Sequence, residues 1–221
     1  MNKTAGIWLL FASLTAGAQH VNVNQFGPNK IEGSNQIAVG GYTQYENQPY
    51  VSEQWGQGFL KGTNGKWYLS DALNYNAYTG KPEFREGEKV FQPRFEVTGF
   101  VLGDTLNGKQ YRAGFPAIDQ QTPATFYEVL AGKSIKLLRY VKASLMDVTS
   151  FNSATKQRRF DFNESYYISR PDGKIVRVRK DKKSLVEALP EQAALIEEIA
   201  ASRKVKLKNW EEIRQVVTEL P

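Results

Sequence analysis

Between Phe59 and Arg179, apolar and polar residues alternate in short runs separated by turn residues, the period-two signature of half-buried strands. Trp67 and Leu69 oppose Tyr68. Leu73, Tyr75 and Ala77 oppose Asn74, Asn76 and Tyr78, and Ile135, Leu137 and Val141 oppose Lys136, Leu138 and Tyr140. The dipeptide Gly-Lys recurs at Gly65-Lys66, Gly80-Lys81, Gly108-Lys109, Gly132-Lys133 and Gly173-Lys174, each time between β-branched and aromatic segments. Asn64-Gly65, Asn107-Gly108 and Asp172-Gly173 predict type I′ hairpins, because those residues tolerate positive φ. The irregular spacing marks five independent turns, not a sequence repeat. Strands are expected near 59–61, 66–69, 72–78, 82–85, 88–92, 95–102, 109–114, 124–130, 133–142, 158–162, 165–169 and 174–179. Short connections imply an antiparallel meander. Residues 143–157 break the alternation and read as a long loop.

After Arg179 the period changes. Ser184, Leu185, Ala188 and Leu189 predict a short helix, and Pro190 suits the first turn of a second. In that second helix Leu195, Ile196 and Ile199 form an apolar stripe. Asn209 followed by Glu212 reads as the capping box of a last helix that buries Trp210, Ile213, Val216, Val217 and Leu220. The pattern therefore predicts an α+β fold: a mostly antiparallel β meander, a curled sheet or partly open barrel, with a C-terminal tail of two to three helices. Its segments are 1–18, a signal peptide; 19–58, a polar N-terminal arm with a short strand around Ile37–Val39; 59–180, the β-rich domain; and 181–221, the helical tail packed on it.

Composition refines this picture. With 41% hydrophobic and 24% charged residues in a chain of 221, a buried core is feasible. Lys3, the apolar run Ile7–Ala12 and the small residues Ala16-Gly17-Ala18 predict an export signal cleaved before Gln19. The run is shorter than the roughly 20 residues that span a bilayer. The chain has no cysteine, so the lipoprotein anchor is excluded and the fold rests on its core without disulfides. A periplasmic or cell-surface location follows. Removal of Lys3 leaves 28 basic against 23 acidic residues, a net charge of +5. That mild excess favours anionic envelope surfaces as partners and not nucleic acid. A transmembrane barrel is disfavoured by the shortness of the expected strands.

Candidate chemistry is sparse. His20 is the sole histidine, so Ser-His-Asp and Cys-His catalysis and His- or Cys-based metal sites are excluded; no metal or cofactor is expected. Gly103–Lys109 matches the spacing of a phosphate-binding loop, but Gln110 stands where Ser or Thr is needed and a strand follows, so a hairpin turn is predicted. Ser153-Ala154-Thr155-Lys156 lacks the companion elements of penicillin-recognising enzymes and reads as loop. Asp161 with Glu164, and Glu83 with Glu86 and Glu88, are carboxylate groups at expected turns that could serve glycoside hydrolysis. Arg177 and Arg179 share a strand face opposite Val176 and Val178 and form a candidate anion patch. Tyr42, Tyr45, Tyr50 and Trp55 are aromatics in a polar setting, suited either to packing the arm down or to a contact surface.

Several stretches together carry a resemblance: Leu73-Asn74-Tyr75-Asn76-Ala77-Tyr78, Phe126-Tyr127-Glu128-Val129-Leu130 with the next Gly-Lys turn, Ile135-Lys136-Leu137-Leu138, and Tyr166-Tyr167 leading into helices. The chain resembles a family of small, largely uncharacterised exported β-rich proteins of Bacteroidetes-type cell envelopes. The resemblance implies an envelope location and no defined activity. Asp104-Thr105-Leu106 also looks like the O-glycosylation sequon of exported proteins in such bacteria.

These readings predict a non-enzymatic envelope protein, foremost a protein-interaction or assembly component. The first alternative is a module binding glycan or anionic lipid headgroups; the second is a carboxylate-based glycoside hydrolase. Partners would be an envelope protein or polysaccharide. The candidate contact residues are Tyr50, Trp55, Tyr78, Arg177 and Arg179.

Overall fold

The alternating segments form one antiparallel sheet of eleven strands, in a computed structural model that describes residues 36–37, 42–104, 107–149 and 156–221. In chain order they are β1 (Gln36–Ile37), β2 (Gly56–Gly62), β3 (Trp67–Asn76), β4 (Lys81–Glu86), β5 (Lys89–Phe91), β6 (Val97–Leu102), β7 (Lys109–Arg112), β8 (Tyr127–Gly132), β9 (Lys136–Thr149), β10 (Lys156–Ser169) and β11 (Ile175–Val178). The spatial order is β1-β5-β4-β3-β2-β6-β7-β8-β9-β10-β11, so two meanders meet where β6 pairs with β2. The expected signal segment at 1–18, His20 and Thr105 lie outside the described residues, as do Ser153 to Thr155.

All five Gly-Lys dipeptides sit at hairpin connections, as expected, but the turn type differs. Asn64 and Asp172 keep negative φ, while Gly65 and Gly173 take φ +76° and +79°. The Gly65 and Gly173 N–H groups close onto the Gly62 and Arg170 carbonyls, at 3.0 and 3.1 Å. The Asn64 and Asp172 side chains accept the N–H groups of Lys66 and Lys174 at 3.0 and 3.1 Å. These are type I turns followed by a left-handed glycine, the three-residue hairpin solution. β6 and β7, on either side of the phosphate-loop-like stretch, pair antiparallel with Leu102 opposite Lys109, and a strand follows the stretch where a phosphate-binding loop needs a helix.

A second difference is larger. Residues 143–157, expected as a loop, belong largely to β9 and β10, which pair over fourteen rungs from Lys136–Ser169 to Thr149–Lys156. The two strands expected at 158–162 and 165–169 are one continuous strand, so Asp161 and Glu164 do not flank a turn. Asn163 and Glu164 interrupt the apolar pattern without interrupting the ladder, because the backbone hydrogen bonds to β9 do not depend on side-chain polarity.

The sheet curls. Near its far end the Ala143 N–H in β9 donates to the Ala77 carbonyl just beyond β3 at 3.1 Å. Residues 42–55 act as a strap across this seam. The Val51 N–H donates to the Tyr75 carbonyl at 3.0 Å, the Ala77 N–H to Pro49 at 2.8 Å, and the Glu46 N–H to Arg158 at 2.9 Å. Asn47 clamps the backbone of Phe160 from both sides, accepting its N–H at 2.7 Å and donating to its carbonyl at 2.8 Å. The curl encloses a core of Leu60, Leu73, Tyr75, Phe84, Phe100, Tyr111, Phe126, Val141 and Phe160.

The other end of the concave face is covered by α1 (Lys182–Ala188), α2 (Ala193–Arg203) and α3 (Trp210–Glu219). Leu185, Leu189, Ile196, Ile213, Val216 and Val217 bury Ile135, Leu137, Tyr166, Ile168 and Val178. At roughly 1.5–3 kcal/mol for each large apolar side chain removed from water, this tail is a structural part of the sheet. The expected N-cap is present, with the Glu212 N–H donating to Asn209 Oδ1 at 2.9 Å, but the box closes differently: the Glu212 carboxylate accepts the Asn209 side-chain amide at 2.8 Å and the N–H groups of Lys206 and Lys208 at 3.1 and 3.0 Å, not the Asn209 backbone N–H. Among the described residues no helix is long and apolar enough to cross a membrane.

Candidate functional site

One cross-strand row shows how the concave face is divided. From β2 to β11 the residues directly opposite one another are Leu60, Phe100, Tyr111, Glu128, Arg139, Tyr166 and Val178. Opposed side chains on one face stand within contact range, so the row places an acid and a base side by side between two apolar cores. Glu128 is 6% exposed. It accepts the Arg139 Nε–H at 2.9 Å and a second donation from Nη2, and Tyr111 Oη reaches it at 3.4 Å. Burial alone lowers the pKa of a guanidinium, but the adjacent Glu128 charge and its hydrogen bonds leave Arg139 above its ordinary value.

The remaining terminal nitrogen of Arg139, Nη1, meets Glu164 Oε1 at 3.2 Å. The other Glu164 oxygen accepts the Tyr166 hydroxyl at 2.5 Å. The Tyr166 ring stacks on Trp210 of α3 with centroids 3.6 Å apart, so the helical tail fixes that donor. Burial, followed by the hydrogen bond to Glu164, pushes the Tyr166 hydroxyl up to about 12.

Arg139 and Glu164 form one wall of a cleft of about 690 Å³, together with Val141 and Phe162. The strap builds the opposite wall, with Tyr50 and Trp55, and Arg85 and Lys109 stand at its edge. Tyr50 and Trp55 meet edge to face at 4.8 Å, and the Arg85 guanidinium lies 4.4 Å from the Trp55 ring centroid. Neither Arg85 nor Lys109 has a carboxylate partner among the described residues. Phe162 is 37% exposed, so its ring is open to the cleft.

Behind the strap, Glu83 anchors Tyr50. Its carboxylate accepts from Tyr50 Oη at 2.8 Å, Asn76 Nδ2 at 3.2 Å, and Thr79 Oγ1 and Gln92 Nε2 at 3.4 Å. Burial pushes the Glu83 carboxyl above the usual range against the pull of these hydrogen bonds. Burial and the Glu83 charge likewise raise the Tyr50 hydroxyl. A second cavity, of about 500 Å³, opens elsewhere beside Pro82, Pro93, Phe95 and Phe126.

The five residues expected as contacts are thus dispersed. Tyr50 and Trp55 share the cleft. Tyr78 sits past the end of β3 with its ring against Phe160, 5.3 Å between centroids. Arg177 pairs with Tyr167 across β10–β11, on the face opposite Glu164, where it meets Asp119 at 3.5 Å and Ser165 at 3.2 Å. Arg179 lies near Asp181, at 3.7 Å. Both arginines have carboxylate partners and stand away from the cleft. Asp161 and Glu164, three positions apart on one strand, point to opposite faces and cannot flank one bond. Glu86 and Glu88 are exposed at the β4–β5 turn while Glu83 is buried.

Sequence reasoning missed Glu128, Arg139, Arg85, Lys109 and Phe162. Two of them left a signal: Glu128 falls between Phe126 and Leu130, and Arg139 between Leu137 and Val141, each a charge in the apolar register of its strand. Comparison with protein-family models, with curated proteins and with solved structures finds no match to this chain.

Proposed function

We propose that the protein is a non-enzymatic binding module of the bacterial cell envelope that takes an acidic glycan segment in the cleft between the strap and β9–β10. The observation that carries this reading is the pairing of two cations that lack acidic partners among the described residues, Arg85 and Lys109, with the aromatic groups Trp55 and Phe162 around one concavity. Converging cations give the cleft an attractive potential for anions, and the exposed Phe162 ring offers a face to the C–H surface of a sugar beside the half-buried Trp55. A volume of about 690 Å³ suits a short oligosaccharide. The aromatic arm supports partner docking less well, because Tyr42 and Tyr45 are spent on Phe160, at 5.4 and 5.2 Å between centroids. Export rests on the N-terminal pattern and is part of the proposal.

The test is calorimetric titration of the mature chain with a short oligogalacturonate, a neutral malto-oligosaccharide of equal length, and phosphatidylglycerol vesicles. Saturable binding of the acidic oligomer is expected, weakened about tenfold by Trp55→Ala and made less salt-sensitive by Arg85→Met. Binding to the vesicles alone, or binding indifferent to both substitutions, would refute the assignment.

A further inference from the structure

Two hydrogen-bond donors converge on Glu164 of the cleft wall, Arg139 from within the lining and the buried Tyr166 from outside it, and both are held rigid. Arg139 is oriented by Glu128, which is buried and takes Nε and Nη2. Tyr166 is oriented by its stack on Trp210. The donors left over, Arg139 Nη1 and Tyr166 Oη, point at one carboxylate and serve one oxygen each, at 3.2 and 2.5 Å. That is the geometry of a carboxylate receptor, one donor per oxygen.

Its present occupant is Glu164, whose side chain is 42% exposed. A half-exposed glutamate can swing into water at little cost, because exposed ion pairs contribute little net stability. The donors cannot follow it, since Glu128 and Trp210 hold them. From this asymmetry of rigid donors and mobile acceptor, we infer that Glu164 is an internal stand-in for the carboxylate of a bound uronate-type sugar, displaced when that ligand enters and thereby setting the affinity of the cleft.

The charge balance agrees. Arg139 faces two carboxylates, so an entering anion is opposed until Glu164 withdraws, after which Arg139 has one buried and one exchangeable partner. Arg85 and Lys109 would then meet the rest of an acidic chain across the cleft. This inference rests on the glycan-binding reading and adds to it the residue that competes with the ligand.

The test compares wild type, Glu164→Ala and the double variant Glu164→Ala/Tyr166→Phe with galacturonate, short oligogalacturonate and neutral malto-oligosaccharide, after urea unfolding has verified that each is folded. Emptying the receptor should tighten oligogalacturonate binding about tenfold, since a ligand's apparent affinity scales with the fraction of receptor left free. Galacturonate alone should raise the melting temperature of Glu164→Ala more than that of wild type. The second substitution should remove several-fold of the gain, and the neutral oligomer should show none. Equal or weaker oligogalacturonate binding by Glu164→Ala would overturn the inference. If wild type still binds through Trp55 and Arg85 in that case, the glycan-binding reading stands alone; if no variant binds, both fall.

Discussion

Replacing Arg139 by methionine keeps most of the side-chain volume and removes the cation that faces Glu128. Glu128 is 6% exposed, so the substitution strands a buried carboxylate whose remaining partner is the Tyr111 hydroxyl at 3.4 Å. Breaking one side of a buried pair costs roughly 3–5 kcal/mol. The low end applies, because Arg139 is 22% exposed and water can reach its vacated position. About 3 kcal/mol corresponds to a fall in melting temperature of roughly 6–12 °C for a chain of this size. The partner substitution, Glu128→Met, leaves Arg139 with Glu164 and orphans the Tyr111 hydroxyl. The double variant removes both charges, and apolar replacement of an ion pair is often neutral, so its cost should reduce to the orphaned hydroxyl, about 1 kcal/mol. Adding Tyr111→Phe should recover that remainder. Urea unfolding followed by near-ultraviolet circular dichroism gives the whole cycle, and a coupling energy of about 3 kcal/mol is expected between positions 128 and 139. Additive single costs, with coupling below about 0.5 kcal/mol, would show that the pair is not a desolvated unit and that the row reading is wrong.

Glu83→Gln tests the knot behind the strap. The folded-state pKa of Glu83 is raised by burial, so the native state holds its proton more tightly than the unfolded chain; that contribution is complete below the unfolded value of 4.5 and is lost as pH rises through the folded value. The cost of Glu83→Gln in urea midpoint should accordingly shrink from acid to alkaline pH; a cost that grows would reverse the assigned sign. Asn209→Ala removes the N-cap of α3 and should cost about 1 kcal/mol in the same assay, with Asn209→Asp retaining most of it; no effect would mean that packing alone holds the helix.

How much was readable depended on how local the determining chemistry is. The hairpins were legible because a turn is written in three or four adjacent residues, and even the error there was local: Asn64 and Asp172 bond to the second residue onward instead of taking positive φ. The helical tail was legible for the same reason, since Asn209 and Glu212 satisfy one another within a single turn. The β9–β10 extension was not. Its polar stretch at Asn163-Glu164 resembles a turn unless the opposing strand is known to continue, and that knowledge is non-local. The strap was illegible too. Asn47 looks like any surface asparagine until Phe160, 113 residues away, arrives beside it. Tyr50 and Trp55 were noticed as aromatics out of place, but the cations that give them chemical meaning come from β4, β7 and β9. Arg177 and Arg179 were noticed because they were clustered in sequence, which is a poor guide to the face on which a strand residue ends.

The position of the charged row follows from the way the concave face is closed. Helices cover it at one end, over Leu137, Tyr166 and Ile168, and the curled half of the sheet covers it at the other, over Val141, Ala143 and Phe160. The two covers have different shapes and no common element, so a seam is left between them, and Arg139 and Glu164 lie on β9 and β10 where it falls. An apolar residue at Arg139 would face water across the cleft, while an unpaired charge at Glu128 would be buried beneath it. An arginine that points inward to a buried acid and outward to an exposed one satisfies both conditions with one side chain. The cleft is therefore a consequence of joining two covers on one sheet, and the donors it exposes are those that the join requires. A ligand-binding function at this seam needs little beyond what folding already demands: a carboxylate willing to step aside, and the cations Arg85 and Lys109 across the gap.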